Sequence, residues 1–327
     1  MLFARHDRCD MWDKSVTSRR EFLGAGAGAL AALAREKRTT PKICIFSKHL
    51  RWLPIADAAM LAAEAGFDGI DITVRPGGHV TPENAAHDLP IAVDAARKAG
   101  IDVPMITTGI VDADSPYAEP ILRTANALNI RHYRWGGLPL DAGKSIPQQI
   151  EEDKARVRGL AALNETVGEC AMYHTHSGAG VLGASIWDLY LLLKDFNPNR
   201  LGVNFDVAHA TVEGGLGGWI NSASLMAPMM RGVALKDFFW EKAANGRWEP
   251  RWCPIGQGMV KFVPFFEFLR KQNFAGPIQL HFEYQEMAGA NDGKNTIGIS
   301  RKEFEAFVRR DLVNARAMMM QAGLQPV

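Results

Sequence analysis

Histidines and carboxylates recur at short spacings in the second half of this 327-residue chain. In Tyr173-His174-Thr175-His176-Ser177-Gly178 two imidazoles stand two residues apart, and on an extended strand that spacing turns both to one side. Asp206 interrupts the apolar run Val203-Asn204-Phe205-Asp206-Val207-Ala208, with His209 three residues later. Ile278-Gln279-Leu280-His281-Phe282-Glu283 again places polar side chains on one face. A carboxylate inside an apolar strand is costly unless paired or bound to metal. Imidazole and carboxylate together suit Mn²⁺, Mg²⁺, Co²⁺ or Zn²⁺. Lys236-Asp237 closes another apolar run, and Arg75, His79 and Arg134 follow or end earlier ones.

The elements carrying these residues alternate. Short apolar runs at Ile43–Ser47, Gly69–Val74, Val103–Thr107, Arg131–Trp135, Ala171–His174, Gly202–Asp206, Gly232–Lys236 and Ile278–Glu283 begin 26 to 46 residues apart. Helical patterns separate them, among them Ile55–Ala65, Ala86–Lys98, Ala118–Ala127 and Asp153–Glu165, with Gly66 and Gly100 placed as C-caps. Strand–helix alternation builds a parallel sheet, and eight units of roughly 30 residues predict a single-domain (β/α)₈ TIM barrel. A doubly wound sheet would carry a glycine-rich turn after its first strand; here Lys48-His49-Leu50-Arg51 follows. The polar ends of the eight runs then meet at the carboxy-terminal mouth, where barrel enzymes keep their sites.

Composition narrows the partners. Lys and Arg number 37 against 36 Asp and Glu, so nothing suggests the basic face of a nucleic-acid binder. The apolar run Gly24–Ala34 is too short to span a bilayer. Preceded by Ser18-Arg19-Arg20-Glu21-Phe22-Leu23, it resembles a bacterial twin-arginine export signal. That resemblance implies a signal peptide over 1–34, a linker over 35–41, the barrel over 42–327, passage through the Tat translocase and a periplasmic location. Without residues 1–34 the cysteines are Cys44, Cys170 and Cys253, an odd set with no CxxC spacing and no disulfide framework.

Read in order, Gly66-Phe67-Asp68-Gly69-Ile70-Asp71-Ile72-Thr73-Val74-Arg75 with Gly77-Gly78-His79, then Tyr173-His174-Thr175-His176, Asp206-Val207-Ala208-His209, Leu235-Lys236-Asp237 and Glu283 resemble the xylose isomerase-like barrel superfamily. Within it, the series is similar to the sugar phosphate isomerase/epimerase branch over about residues 42–322, and the Tyr-His-x-His element is also similar to inosose dehydratases. The resemblance implies one divalent ion held by Glu, Asp, His and Glu. Asp206 and Glu283 match the Asp and the second Glu; His174 fills the first Glu position, and Ala234 stands where the family has His before Lys236-Asp237. The expected ligands are therefore His174, Asp206, His209 and Glu283. Lys236, His176 and Glu283 are expected to move protons or stabilise an oxyanion, and Arg75, His79, Arg134 and His281 to hold substrate oxygens. The reaction this implies is isomerisation or epimerisation of a sugar or keto-sugar through an enediolate. The alternatives are a lyase or dehydratase on a keto-polyol or keto-glycoside, and a sugar-binding barrel without catalysis. Whether the chain self-associates is left open by the sequence.

Overall fold

A computed structural model describes residues 40–324. The expected signal peptide lies outside the described residues. Eight parallel strands close into a barrel: β1 (Ile43–Phe46), β2 (Gly69–Val74), β3 (Ile106–Thr108), β4 (His132–Trp135), β5 (Cys170–His174), β6 (Leu201–Asp206), β7 (Met230–Leu235) and β10 (Ile278–Leu280). Their order around the barrel follows the chain, with β10 closing between β7 and β1. Helices α1 (Ile55–Ala65), α2 (Ala85–Lys98), α3 (Ala118–Ala127), α4 (Ile146–Val167), α5 (Ile186–Leu193) and α6 (Val207–Met226) connect successive strands. The last two, α7 (Phe262–Lys271) and α8 (Arg301–Gln321), flank β10 in sequence. This is the expected (β/α)₈ barrel.

Local chemistry explains the element limits. Gly66 ends α1 at φ +95°, a conformation that glycine adopts without Cβ strain. Ser145 caps α4 by accepting from Gln148 N–H, and Pro147 sits in its first turn. These signals start the helix well before the expected Asp153. Ser300 and Glu303 form a reciprocal capping box on α8. The third strand begins at Ile106 rather than Val103, because Pro104 has no N–H to give a ladder.

Two layers fill the barrel. Cys44 of β1, Met105 just before β3, and Cys170 and Met172 of β5 form an apolar cluster; β1, β3 and β5 are not sheet neighbours, so these residues meet across the interior. A Cβ on Gly232 would come within 2.8 Å of the Met172 sulfur, so a larger residue there would require the methionine side chain to move. The second layer is polar. Asp71 Oδ2 accepts from Thr107 Oγ1 at 2.7 Å and from the Gln279 amide, and Asn204 Nδ2 donates to Gln279 Oε1 at 2.5 Å.

One element was absent from the sequence reading. Within the longest interval between runs, β8 (Asp237–Lys242) and β9 (Trp248–Cys253) pair as an antiparallel hairpin outside the barrel. Its base is fixed by Asp237, whose carboxylate accepts from the N–H groups of Phe238, Gly256, Gly258 and Val260. Gly256-Gln257-Gly258 is thus a turn wrapped on a carboxylate.

Candidate active site

The carboxy-terminal ends of β5, β6, β7 and β10 bring the predicted residues together. Asp206, the last residue of β6, caps α6: its Oδ1 accepts from Ala208 N–H at 2.9 Å and His209 N–H at 3.1 Å. That geometry leaves Oδ2 without a hydrogen bond. It faces His174 Nε2 at 3.6 Å, His209 Nε2 at 3.9 Å and Lys236 Nζ at 3.5 Å. Thr175, between the two histidines of the motif, accepts from Asp206 N–H at 2.9 Å and so fastens β5 to β6.

The imidazoles are stacked and closely spaced. His174 and His176 lie on one side of the strand end, as expected, with ring centroids 4.6 Å apart. His281 stacks on His174 at 5.3 Å and 8°, and Phe46 stacks with His281 at 4.9 Å. Both nitrogens of His174 and of His281, together with His209 Nε2, have no hydrogen-bond partner among the described residues. His209 Nδ1 is held by Ser177 Oγ at 2.7 Å. His176 Nε2 accepts from Arg134 at 3.2 Å, so its Nδ1 carries the proton and donates to His174 O at 3.0 Å.

Proton affinities follow from these surroundings. Burial, then Arg134, pushes His174 well down and His176 to about 3. Burial, then Lys236, pushes His209 well down, and burial brings His281 to about 3 despite Glu283 nearby. All four imidazoles are therefore neutral at pH 7, the form that can ligate a metal. For Glu283 burial acts upward, but Lys236, His281 and Lys48 outweigh it and hold the carboxyl well below the usual range.

Two groups of side chains offer ligand atoms within 4.8 Å of one another: His174, Asp206 and His281, and His174, His176 and His209. The donor set and its unpartnered buried atoms fit a divalent ion. Glu283 belongs to neither group. Its Oε2 meets Lys236 Nζ at 2.8 Å and its Oε1 meets Lys48 Nζ at 3.5 Å. The two acids expected to share one ion thus share the Lys236 ammonium, while His281, expected among the substrate-binding groups, stands within ligand reach of Asp206. Arg75 and Arg134 project over the Phe46 ring, each with Cζ 5.7 Å from its centroid. His79 lies apart from the histidine cluster, with its N–H donating to Thr73 Oγ1 and its ring beside the carbonyls of Leu50 and Leu53.

Three contributors were missed as site residues. Lys48 adds the second cation beside Glu283. Trp252 of β9 places its ring 4.4 Å from Lys236 Nζ and 5.3 Å from His209. His49 is a structural clamp: its Nε2 accepts from Phe282 N–H at 3.1 Å, so its Nδ1 donates to Ala290 O at 2.9 Å. It pins the loop carrying His281 and Glu283 against β1. Lys48 and His49 were visible as polar strand-end residues, but only packing separates their roles. Beside Glu283 a cavity of about 290 Å³ opens between the hairpin and the segment after β10, lined by Trp252, Tyr284 and Gln285 among others.

A parallel barrel with convergent imidazoles and carboxylates at its mouth defines a class of barrel enzyme. A family model described as "Xylose isomerase-like TIM barrel" matches residues 60–305, and the chain belongs to that family. No curated protein matches the sequence. Among solved structures, D-psicose 3-epimerase with D-tagatose from Clostridium cellulolyticum is similar at TM-score 0.63 and 16% identity, covering 85% of this chain and 99% of that one. The apo 3-keto-D-glucoside 4-epimerase of E. coli gives 0.59 and 14%, over 85% and 99%. The probable 3-DHS dehydratase of petrobactin synthesis from Bacillus anthracis gives 0.60 and 16%, over 84% and 99%. At these identities the likeness is one of fold.

Proposed function

We propose that the protein is a metal-dependent isomerase or epimerase of a sugar or keto-sugar. The observation that carries this reading is the convergence of unpartnered His174 and His281 nitrogens with the free Oδ2 of Asp206, beside the Lys236–Glu283 pair. His174, Asp206 and His281 would hold a divalent ion, with His209 at the edge of the group. A bound ion supplies Lewis acidity that makes a hydrogen beside a carbonyl easier to remove. Glu283, ionised at neutral pH, takes that proton from carbon while Lys236 protonates the carbonyl oxygen; in the reverse transfers Glu283 returns its proton to the neighbouring carbon and Lys236 recovers one from the hydroxyl that becomes the new carbonyl, so both groups are restored. When Lys236 turns from Glu283 to substrate oxygen, the carboxylate loses its strongest cation partner and becomes more basic. Arg75 and Arg134 hold substrate oxygens, and Trp252 shields Lys236 from water. The Arg19-Arg20 segment supports export of the folded chain.

The same acid–base pair favours a second reading, elimination of a β-hydroxyl, because a carboxylate base and an ammonium acid stand 2.8 Å apart on one side of the site. Metal analysis of the purified protein, beside Asp206→Asn and His174→Ala, tests the common part. One metal per wild-type chain and none in the variants is expected; a metal-free, metal-indifferent wild type would overturn it. Solvent deuterium entering candidate keto-sugars without loss of water indicates isomerisation, and dehydrated product indicates the lyase.

A further inference from the structure

The mouth carries more cation than its own acids neutralise. Lys236 and Lys48 are taken up by Glu283 and Asp206. On the β2–β4 side, Arg75 and Arg134 are partly buried, and neither forms an ion pair among the described residues. The side chain of Arg134 bonds only the neutral His176. Arg51 stands nearby, again without an ion pair among the described residues, and adds its charge to that of Arg75. The acid beneath them is Asp71, whose Oδ2 is occupied by Thr107 and Gln279. A single carboxyl in the polar layer cannot offset the guanidiniums above it, and burial raises its own proton affinity to about 7. Elsewhere in the barrel Arg156, Arg200, Arg310 and Arg316 each meet a carboxylate within 3.0 Å, and the partly buried Arg231 is held instead by Asn199 Oδ1 and the carbonyls of Pro228 and Met230. Guanidinium removed from water without a counter-ion is costly, and its planar fork matches an oxyanion.

We propose that Arg75 and Arg134, set over the face of Phe46, form an oxyanion clamp, and that the substrate is an acidic sugar carrying a carboxylate or phosphate group. This rests on the reading of the site as one that transforms sugars, and it adds the substrate class. Phe46 connects the two halves. Its ring lies 5.7 Å from each guanidinium carbon and 4.9 Å from the His281 ring. Arg134 also adjoins the histidine group through His176, at 3.2 Å, so a sugar with its carbonyl end between His281 and Lys236 would carry its acidic end toward the arginines. Carboxylate and phosphate both accept paired N–H bonds from a guanidinium, so the clamp defines the charge and an experiment decides its source.

The test is calorimetric titration of the full chain, supplied with Mn²⁺, with D-glucuronate, D-glucose 6-phosphate and D-glucose. At least one anionic probe is expected to bind about tenfold or more tightly than glucose. Tight binding of glucuronate assigns a carboxylate, and tight binding of the phosphate ester assigns a phosphate. R75Q and R134Q are each expected to weaken that probe about tenfold and glucose little, with R134K recovering part of the loss. Anionic probes no tighter than glucose would overturn the clamp. So would tight anion binding that persists in the R75Q/R134Q double variant, which would put the anion on the histidine side. A parallel Mn²⁺ titration separates the two ideas. Retained Mn²⁺ binding in the arginine variants shows an intact fold and histidine site. A wild type that binds no Mn²⁺ defeats the metal-dependent reading, while the comparison of anion with glucose still decides the clamp.

Discussion

The two ends of the barrel bury ionisable groups to similar degrees and differ in how those groups meet. At the amino-terminal end Glu169 is fully buried, with both carboxylate oxygens lacking a hydrogen bond; burial raises it to about 8 although Arg131 and Arg200 act against this. Burial lowers His132 there to about 4, beside a cavity of about 350 Å³ bounded by Met230, Arg231 and Phe274. That cavity is larger than the one beside Glu283, yet no group of potential ligand atoms among the described residues converges on it. At the mouth the same burial acts on His174, His209 and His281, but the free Nε2 atoms of His174 and His209 face Asp206 Oδ2 at 3.6 and 3.9 Å, and His281 offers a ligand atom within 4.8 Å of the same carboxylate. A displaced proton affinity reports burial at either end; convergence of partners distinguishes a site.

The largest effects that would sharpen this contrast belong at the mouth. Removing an outer-shell partner of a metal ligand costs about 10- to 100-fold in affinity, and loss of a ligand itself should exceed that. His174→Ala is therefore expected to weaken Mn²⁺ binding by more than about a hundredfold, measured by isothermal titration, while Glu169→Gln leaves it unchanged. Equal losses in both variants would erase the distinction between the ends. Lys236→Met is expected to act differently from either. It removes an ammonium 3.5 Å from Asp206 Oδ2, so metal affinity should hold or rise. Proton exchange between solvent and substrate should fall about 10²- to 10⁴-fold. Parallel loss of metal and exchange would make Lys236 structural.

At the floor the expected effect is on stability and has a definite sign. Glu169 has its folded-state value raised from 4.5 to about 8. Its contribution is therefore intact below pH 4.5 and declines as pH rises to about 8, since the unfolded chain ionises first. Glu169→Gln has no charge to bury. It should stabilise the protein relative to wild type at pH 8.5 by up to about 5 kcal/mol, and the gain should vanish near pH 4. Denaturant unfolding at the two pH values measures it. A gain that is the same at both would show that Glu169 has the same proton affinity in the folded and the unfolded chain.

Much of this architecture was readable before any coordinates. The strand at Gly69–Val74 and the helices Ile55–Ala65 and Ala118–Ala127 fall where periodicity put them, because their apolar faces are set by local pattern. The barrel followed from eight such repeats. The hairpin did not, since Glu241, Lys242, Glu249 and Arg251 face water and give its strands no sustained apolar run. Site membership was legible through the paired histidines and through Asp206, an acid in an apolar strand. Roles within the site were not. The position of Lys236 between Asp206 and Glu283 depends on contacts 30 and 47 residues apart, and no spacing rule encodes them.

The smallest effect concerns the hairpin that patterning missed. Trp252 touches the site only through its ring, against Lys236 and His209. An ammonium over an indole gains about 0.5–1 kcal/mol where solvent still reaches it, and Trp252 is partly exposed. Trp252→Leu keeps an apolar cover but loses that attraction, so Lys236 spends less time aimed at substrate. Proton exchange should slow by about two- to fivefold with Mn²⁺ affinity unchanged, well short of the Lys236→Met loss. A decline as deep as that of Lys236→Met would place the hairpin inside the catalytic machinery, and the mouth would then owe its chemistry to an insertion as much as to the barrel. A small decline keeps the chemistry on the barrel strands, with the hairpin as a cover laid over them.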